Sequence, residues 1–201
     1  MSSNDIVGLY GSIDSSDELQ AVNDILEVIG QAPVSSLRNQ SDLDVSTARR
    51  MLAGENRKIQ SKGWGFNIEK NVELLPDVYS GVISYNPSYL SVLDPSAATI
   101  YINRNGTVYD TVAQTNRFDA AIYVNLIVAR PLNEMPHCFK EWIICSAAKR
   151  FNNSRFGDVD VANDLRERIT EARIDCADYE SDFGRYNMIE GNEFLDGMMR
   201  R

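Results

Sequence analysis

Apolar residues recur along this chain at two different periods, and the changeovers divide it. From Leu19 the period is helical: Leu19, Val22, Ile25, Leu26 and Ile29 fall on one face. Ser15 and Glu18 stand three apart ahead of that face, a capping-box spacing, and Gly30 follows it as a stop. Pro33 and the polar run to Ser41 predict a loop. A second helix is predicted from Asp42 or Asp44, with Val45, Ala48, Met51, Leu52 and Ile59 on its apolar face. Gly54 inside it costs about 1 kcal/mol relative to Ala and permits a bend. Lys62-Gly63 puts a cation and a glycine where a helix C-terminus favours both.

The period then drops to two. Phe66, Ile68, Val72 and Leu74 alternate with polar residues, broken at Lys70, and Trp64 is placed to anchor the mouth of this first strand. Pro76-Asp77 predicts a turn, and Val82 to Asn86 a short extended run. Tyr89 to Leu93 lies between Pro87 and Pro95. Thr99 to Ile102 and Thr107 to Asp110 flank Asn105-Gly106, the strongest hairpin signal in the chain. Ile122 to Ala129 is apolar on both sides, which predicts a central strand.

Helical spacing returns between Glu134 and Tyr186, as two helices predicted to form an αα-hairpin. The first opens at Pro136, whose missing N–H has no helical partner in a first turn, and stacks Phe139, Ile143, Ala147 and Phe151 four apart. Trp142 and Cys145 widen that stripe, and Asn152 to Gly157 interrupts it. The second carries Val161, Leu165, Ile169, Ala172, Cys176, Tyr179 and Phe183 as one narrow seam, about 33 Å long from Asp160 to Asp182. Its other faces are charged, so it suits a helix packed on one side only. Asp164 and Arg168 stand four apart as an ordinary intrahelical pair.

Two helices, a block of four to six strands and two long helices predict an α+β fold with an antiparallel sheet. The expected organisation is a flexible arm over residues 1–14, a helical bundle from 15–63 and 134–184, an inserted β domain over 64–131, and a tail over 185–201. The tail holds Tyr186, Met188, Ile189, Phe194, Leu195, Met198 and Met199 among glycines and polar residues. These seven are the candidate assembly residues, docking either on their own domain or on a neighbouring chain, since the segment has apolar anchors and no period of its own.

Charge narrows the function classes. The 201 residues carry 29 acids against 20 Lys and Arg, a net charge of -9, with no basic block. Phosphate neutralisation is therefore excluded as the main task. The odd set of Cys138, Cys145 and Cys176 contains no CxxC and falls on apolar helix faces, as core thiols in a reducing intracellular setting would. No signal peptide or membrane-length apolar run is evident. His137 is the sole histidine, which excludes HExxH and multi-histidine metal sites, and neither GxSxG nor GxxxxGK[ST] occurs. Gly63-Trp64-Gly65 is too short to cradle phosphates. Among so many acids some pair always falls at a glycosidase-like spacing, and none stands out. Glu167, Glu171 and Asp175, four apart, predict a solvated or channel-facing acidic rim. No catalytic residue, cofactor or metal is expected.

Several blocks in fixed order carry a family resemblance. They are Lys62-Gly63-Trp64-Gly65-Phe66-Asn67-Ile68-Glu69, Leu74-Leu75-Pro76-Asp77-Val78-Tyr79-Ser80, Asn116-Arg117-Phe118-Asp119, and Glu134-Met135-Pro136 leading into Phe139 and Trp142-Ile143. Phe151-Asn152-Asn153, Phe156-Gly157, Tyr179-Glu180, Asp182, Gly184 and Tyr186-Asn187-Met188 follow. From about Glu18 to its last residue the chain resembles tail tubular protein A of T7-like short-tailed bacteriophages, the head-to-tail adaptor. The resemblance implies a structural virion protein of the tail, assembled in the host bacterial cytoplasm. It implies a dodecameric ring between the portal and the nozzle protein (tail tubular protein B) that helps attach the tail fibre protein. DNA would pass through its channel without sequence-specific binding, with no membrane involved. The family brings no catalytic motif. The competing classes are a glycan-degrading hydrolase acting on the host envelope and a soluble binding module.

Deleting Asn192 to Arg201 is predicted to leave the fold intact and to weaken assembly. Circular dichroism and sizing of the truncated chain check this, and an unfolded truncation would assign the tail to the core.

Overall fold

The computed structural model describes residues 16–28, 30–38 and 42–190, with side chains described as far as Asp182. It is an α+β protein. Helices α1 (Ser16–Glu27) and α2 (Leu43–Gln60) come first. Strands β1 (Ile68–Leu74), β2 (Tyr89–Leu93), β3 (Ile100–Arg104), β4 (Thr107–Asp110) and β5 (Ile122–Val128) follow. A 3-10 turn, Leu132–Glu134, leads into α3 (His137–Arg155) and α4 (Val159–Glu190). Among the described residues the chain forms two compact units, one from Ser16–Glu55 with the segment from Leu132 onward, the other Asn56–Pro131. The division falls inside α2.

In the sheet unit the strand order is β1-β5-β2-β3-β4 and every pairing is antiparallel. The doubly apolar β5 is interior, flanked by β1 and β2, as its sequence requires. Leu74, Ile83, Val92, Val108, Val124, Leu126 and Val128 form one buried cluster. The break in alternation at Lys70 is a β-bulge: Glu69 pairs Leu126 but Val72 pairs Val124, so β1 holds one extra residue, with Asn71 at φ 54°. Asn105 and Gly106 both take positive φ, 55° and 77°, which makes the β3–β4 connection a two-residue hairpin turn. The run from Val82 to Asn86 is not a continuous strand. It makes only the isolated bridges Val82 to Arg117 and Ser84 to Thr107, because its two polar residues leave it with just one core side chain, Ile83.

A buried polar junction closes this unit where α2, β1 and β5 meet. Gln60 donates from Nε2 to the Arg130 carbonyl at 2.9 Å and accepts from the Arg130 N–H at 2.8 Å. Asn67 donates to the Gln60 carbonyl at 3.0 Å and accepts from the Trp64 N–H at 2.8 Å. The Trp64 indole donates to the Ile59 carbonyl at 2.7 Å, which fixes it as the predicted anchor. Both Gln60 and Asn67 are almost wholly buried and satisfied, the condition under which buried polar groups specify a fold rather than weaken it.

In the helical unit the predicted stripes hold. Val22, Ile25 and Leu26 of α1 are fully buried, and Val45, Ala48, Met51 and Leu52 of α2 are buried. The Gly30 N–H donates to the Glu27 carbonyl and the Gln31 N–H to the Leu26 carbonyl, the paired bonds of a Schellman stop. Ser15, Ile29 and the arm over 1–14 lie outside the described residues. Asp42 accepts from the Asp44 N–H at 2.8 Å and so caps α2. Three details differ from expectation. Pro136 is the N-cap residue of α3 rather than its first helical residue. Asn152 does not end α3: its amide is buried and donates to the Asp158 carbonyl at 2.7 Å, so the helix persists to Arg155 and turns at Gly157. Finally, α4 runs through Gly184 to Glu190, because one glycine in a long helix costs only about 1 kcal/mol.

Gly63 ends α2 at φ +78°, and a Cβ built there would stand 2.9 Å from Ile127 Cδ1, itself buried. Gly63→Ala is expected to destabilise the protein by about 1–2 kcal/mol through backbone strain and this contact. Urea denaturation measures it, and an unchanged midpoint would contradict the geometry.

Candidate assembly surfaces

The α3–α4 hairpin presents the molecule's largest asymmetry. Helix α3 is buried on a broad face: Phe139, Trp142, Ile143, Cys145, Ala147, Ala148, Phe151 and Asn152. Helix α4 buries Leu165, Ala172 and Cys176 alone among its described side chains, with Val161 and Ile169 half-buried. Tyr179 is partly exposed and sets its ring edge-on to Phe139 at 6.1 Å. With 32 residues α4 is about 48 Å long, and most of its described side chains, over 159–182, are exposed.

Charged contacts tie this helix to α3, and Arg173 lies over the Trp142 ring at 5.7 Å. Arg168 donates to Glu141 Oε1 of α3 at 2.6 Å rather than along its own helix to Asp164, which corrects the intrahelical pairing. The same carboxylate accepts from the Cys145 thiol at 3.2 Å. Burial alone would raise the Glu141 carboxyl, but the bonds from Arg168 and Cys145 and the Arg168 charge hold it below its ordinary value. Burial, reinforced by Glu141, pushes the Cys145 thiol up to about 12, so it stays protonated and unreactive. Burial and the neighbouring Cys138 thiol likewise push Cys176 up. Asp24 of α1 lies near this group and is raised by burial first, then by Glu27 and Glu141. All three cysteines are free.

Glu167, Glu171 and Asp175 are all exposed on α4. The structure leaves them on the outer surface as a stripe and brings no other functional group to them in its described contacts. Tyr186, Met188 and Ile189 lie on the last turns of α4, where the side chains are outside the described residues, as are Phe194, Leu195, Met198 and Met199 entirely. Among the described residues no group of His, Cys, Asp and Glu is placed to hold a metal ion.

One exposed feature escaped the sequence reading. In the sheet unit Val78 is 92% and Tyr79 97% exposed, beside exposed Leu75. The Asp77 carboxylate holds this turn by accepting from the N–H groups of Tyr79 and Ser80 and from the Ser80 hydroxyl, at 2.8 to 3.1 Å. Those bonds, that from the Ser80 N–H foremost, keep the Asp77 carboxyl below the usual range. Two large apolar residues are thus displayed on a rigid turn. The signal available in the sequence was Pro76-Asp77 followed at once by two apolar residues, in a turn too tight to bury them.

Because the folded-state carboxyl of Glu141 is depressed, its stabilisation is present above the unfolded value near 4.5 and is lost as pH falls through the lower folded value. Glu141→Gln should cost roughly 0.2–1 kcal/mol at pH 7 for so solvent-accessible a pair, and progressively less toward pH 3. Thermal melts across that window test it, and a gap that does not narrow would remove the ion pair from the explanation.

Comparison with known proteins places the chain in a family. A family profile described as tail tubular protein matches residues 19–186. Over 151 residues the chain is 28% identical to the Tail tubular protein A of Klebsiella phage KP34, covering 75% of this chain and 80% of that protein. The profile match begins within α1, includes α2, the sheet unit and α3, and ends within α4. The chain belongs to the tail tubular protein family, the structural proteins of the bacteriophage tail.

Proposed function

We propose that the protein is a head-to-tail adaptor: a subunit of a dodecameric ring that joins the portal to the nozzle protein and helps attach the tail fibre protein. The observation that carries this reading is the one-sided packing of α4, a helix of 32 residues with three buried side chains among those described. A helix so long and so little covered supports a role between neighbours, and a closed ring joins unlike faces of successive subunits. The working parts would be the bundle of 15–63 and 134–184, the β domain of 64–131, the arm of 1–14 and the tail of 185–201. In this scheme Tyr186, Met188, Ile189, Phe194, Leu195, Met198 and Met199 anchor the tail on an adjacent subunit or on the portal.

Glu167, Glu171 and Asp175 supply acid to the channel or the ring's rim. With -9 per chain repeated round the ring, DNA meets like charge and finds no well in which to stall. Assembly in the host cytoplasm accords with the three free thiols. The reading assigns the chain no catalysis, metal or cofactor. The competing hydrolase reading has no specific observation in its favour.

Light scattering of the purified chain, alone and mixed with portal, tests the proposal. The expected species with portal contains twelve times the 22.6 kDa chain mass, about 270 kDa, in addition to the portal. A chain that stays monomeric and joins neither portal nor nozzle protein would refute it.

A further inference from the structure

The sheet unit contains a hollow of about 310 Å³ whose chemistry differs from the rest of the surface. Arg57 from the end of α2, Tyr85 from the segment before β2, Tyr89 and Ser91 from β2, and Tyr101 and Asn103 from β3 line it, with Leu90 and Ile102 between them. Tyrosine and arginine are residue types that carry binding energy at protein interfaces, and Ser91 and Asn103 add adaptable hydrogen bonding. The tyrosine rings give large contact area at low entropic cost, and their polar tips adapt to a partner. The rings are already held: Tyr85 and Tyr89 meet edge to face at 5.8 Å, and Tyr101 packs on Phe118 at 6.2 Å.

Arg57 is the one donor-only group of the lining. Among the described residues the Arg57 guanidinium makes no hydrogen bond or ion pair, although its charge lies near enough to Tyr85 to offset part of what burial does to that phenol. Five guanidinium N–H donors, with hydroxyl and amide donors around them, fit an acceptor-only group such as a carboxylate. In a chain with 29 acids, a second copy is the partner that brings carboxylates in quantity. Copies each carrying -9 repel one another, so contact between them needs a local match of opposite sign. A single guanidinium among tyrosines, in so acidic a protein, is a poor phosphate track.

We propose that this hollow is one half of a subunit–subunit contact and receives a carboxylate of a second copy of the chain. The proposal rests on the ring reading above and deepens it. The tyrosines supply contact area and Arg57 sets the register, so the other half of the contact lies on an acidic face of the neighbour.

The test uses the full-length chain. Arg57→Glu should raise the concentration for half-assembly by about tenfold or more, whereas Arg57→Lys should retain assembly with stronger sensitivity to salt. Circular dichroism should be unchanged for both, since the position is exposed. The lysine variant also identifies the occupant. A water-soluble carbodiimide activates a carboxyl and leaves as a urea when the introduced amine attacks, forming an amide. In a mixture of nitrogen-15 and unlabelled chains, mass spectrometry should find that amide joining position 57 to an Asp or Glu of the differently labelled copy. If the wild type forms rings and Arg57→Glu forms them equally well, the hollow is not the contact and the ring reading stands. If the wild type never assembles with itself or with portal, both fall. If wild-type chains retain DNA and Arg57→Glu does not, the occupant is a phosphate and the self-contact is refuted.

Discussion

Helix α4 cannot bury itself, and much of the helical unit follows from that constraint. Its apolar seam is one residue wide, so its place is fixed by what α3 offers it. Helix α3 answers with a broad apolar face on which Phe139 and Phe151 are wholly buried, each contributing about 1.5–3 kcal/mol by removal from water. The Arg168–Glu141 bond fixes the register of one helix on the other, and the Cys145 thiol completes the coordination of that carboxylate. An ion pair so open to solvent adds little stability, yet its geometry selects one register out of several that a uniform seam would allow. What remains of α4 is long, charged and uncovered.

The sheet unit obeys a different constraint. Its apolar cluster is small, and its connections carry several positive-φ residues. Order comes from polar groups that close on the backbone. Gln60 and Asn67 tie the end of α2 to β1 and β5, Asp77 fixes one turn, and Asp94 fixes another by accepting from Ser96, Ala98 and Thr99. A unit held this way can display unusual surfaces without softening. The Val78–Tyr79 turn and the tyrosine hollow are both built on such fixed backbone.

Periodicity revealed the helices because each of them has a buried apolar stripe, and the strands because their apolar residues alternate or fill both sides. It located β5 in the sheet interior from its apolar residues on both sides, and it registered the β1 bulge as a fault at Lys70. It was weaker where short polar contacts decide the backbone. Asn152 looked like a helix breaker and is instead a buried donor inside α3, and Asp164 gave up Arg168 to Glu141 on the facing helix. Candidate surfaces divide the same way. The acids at 167, 171 and 175 share one helix face and could be seen in the sequence. The hollow draws on positions 57, 85, 89 and 101, which only the fold brings together, and no spacing rule could have gathered them.

The proposed adaptor would have to bind its own copies strongly and hold DNA hardly at all, and an acidic chain with the proposed contact at the tyrosine hollow would offer a physical route to both. Like charge facing the duplex and opposite charge at a single contact separate the two requirements. The most direct measurement is electron microscopy of the purified chain mixed with portal. Rings of twelve subunits seated coaxially on the portal, with an open central channel, are the predicted result. Portal particles left bare beside free monomers would contradict it.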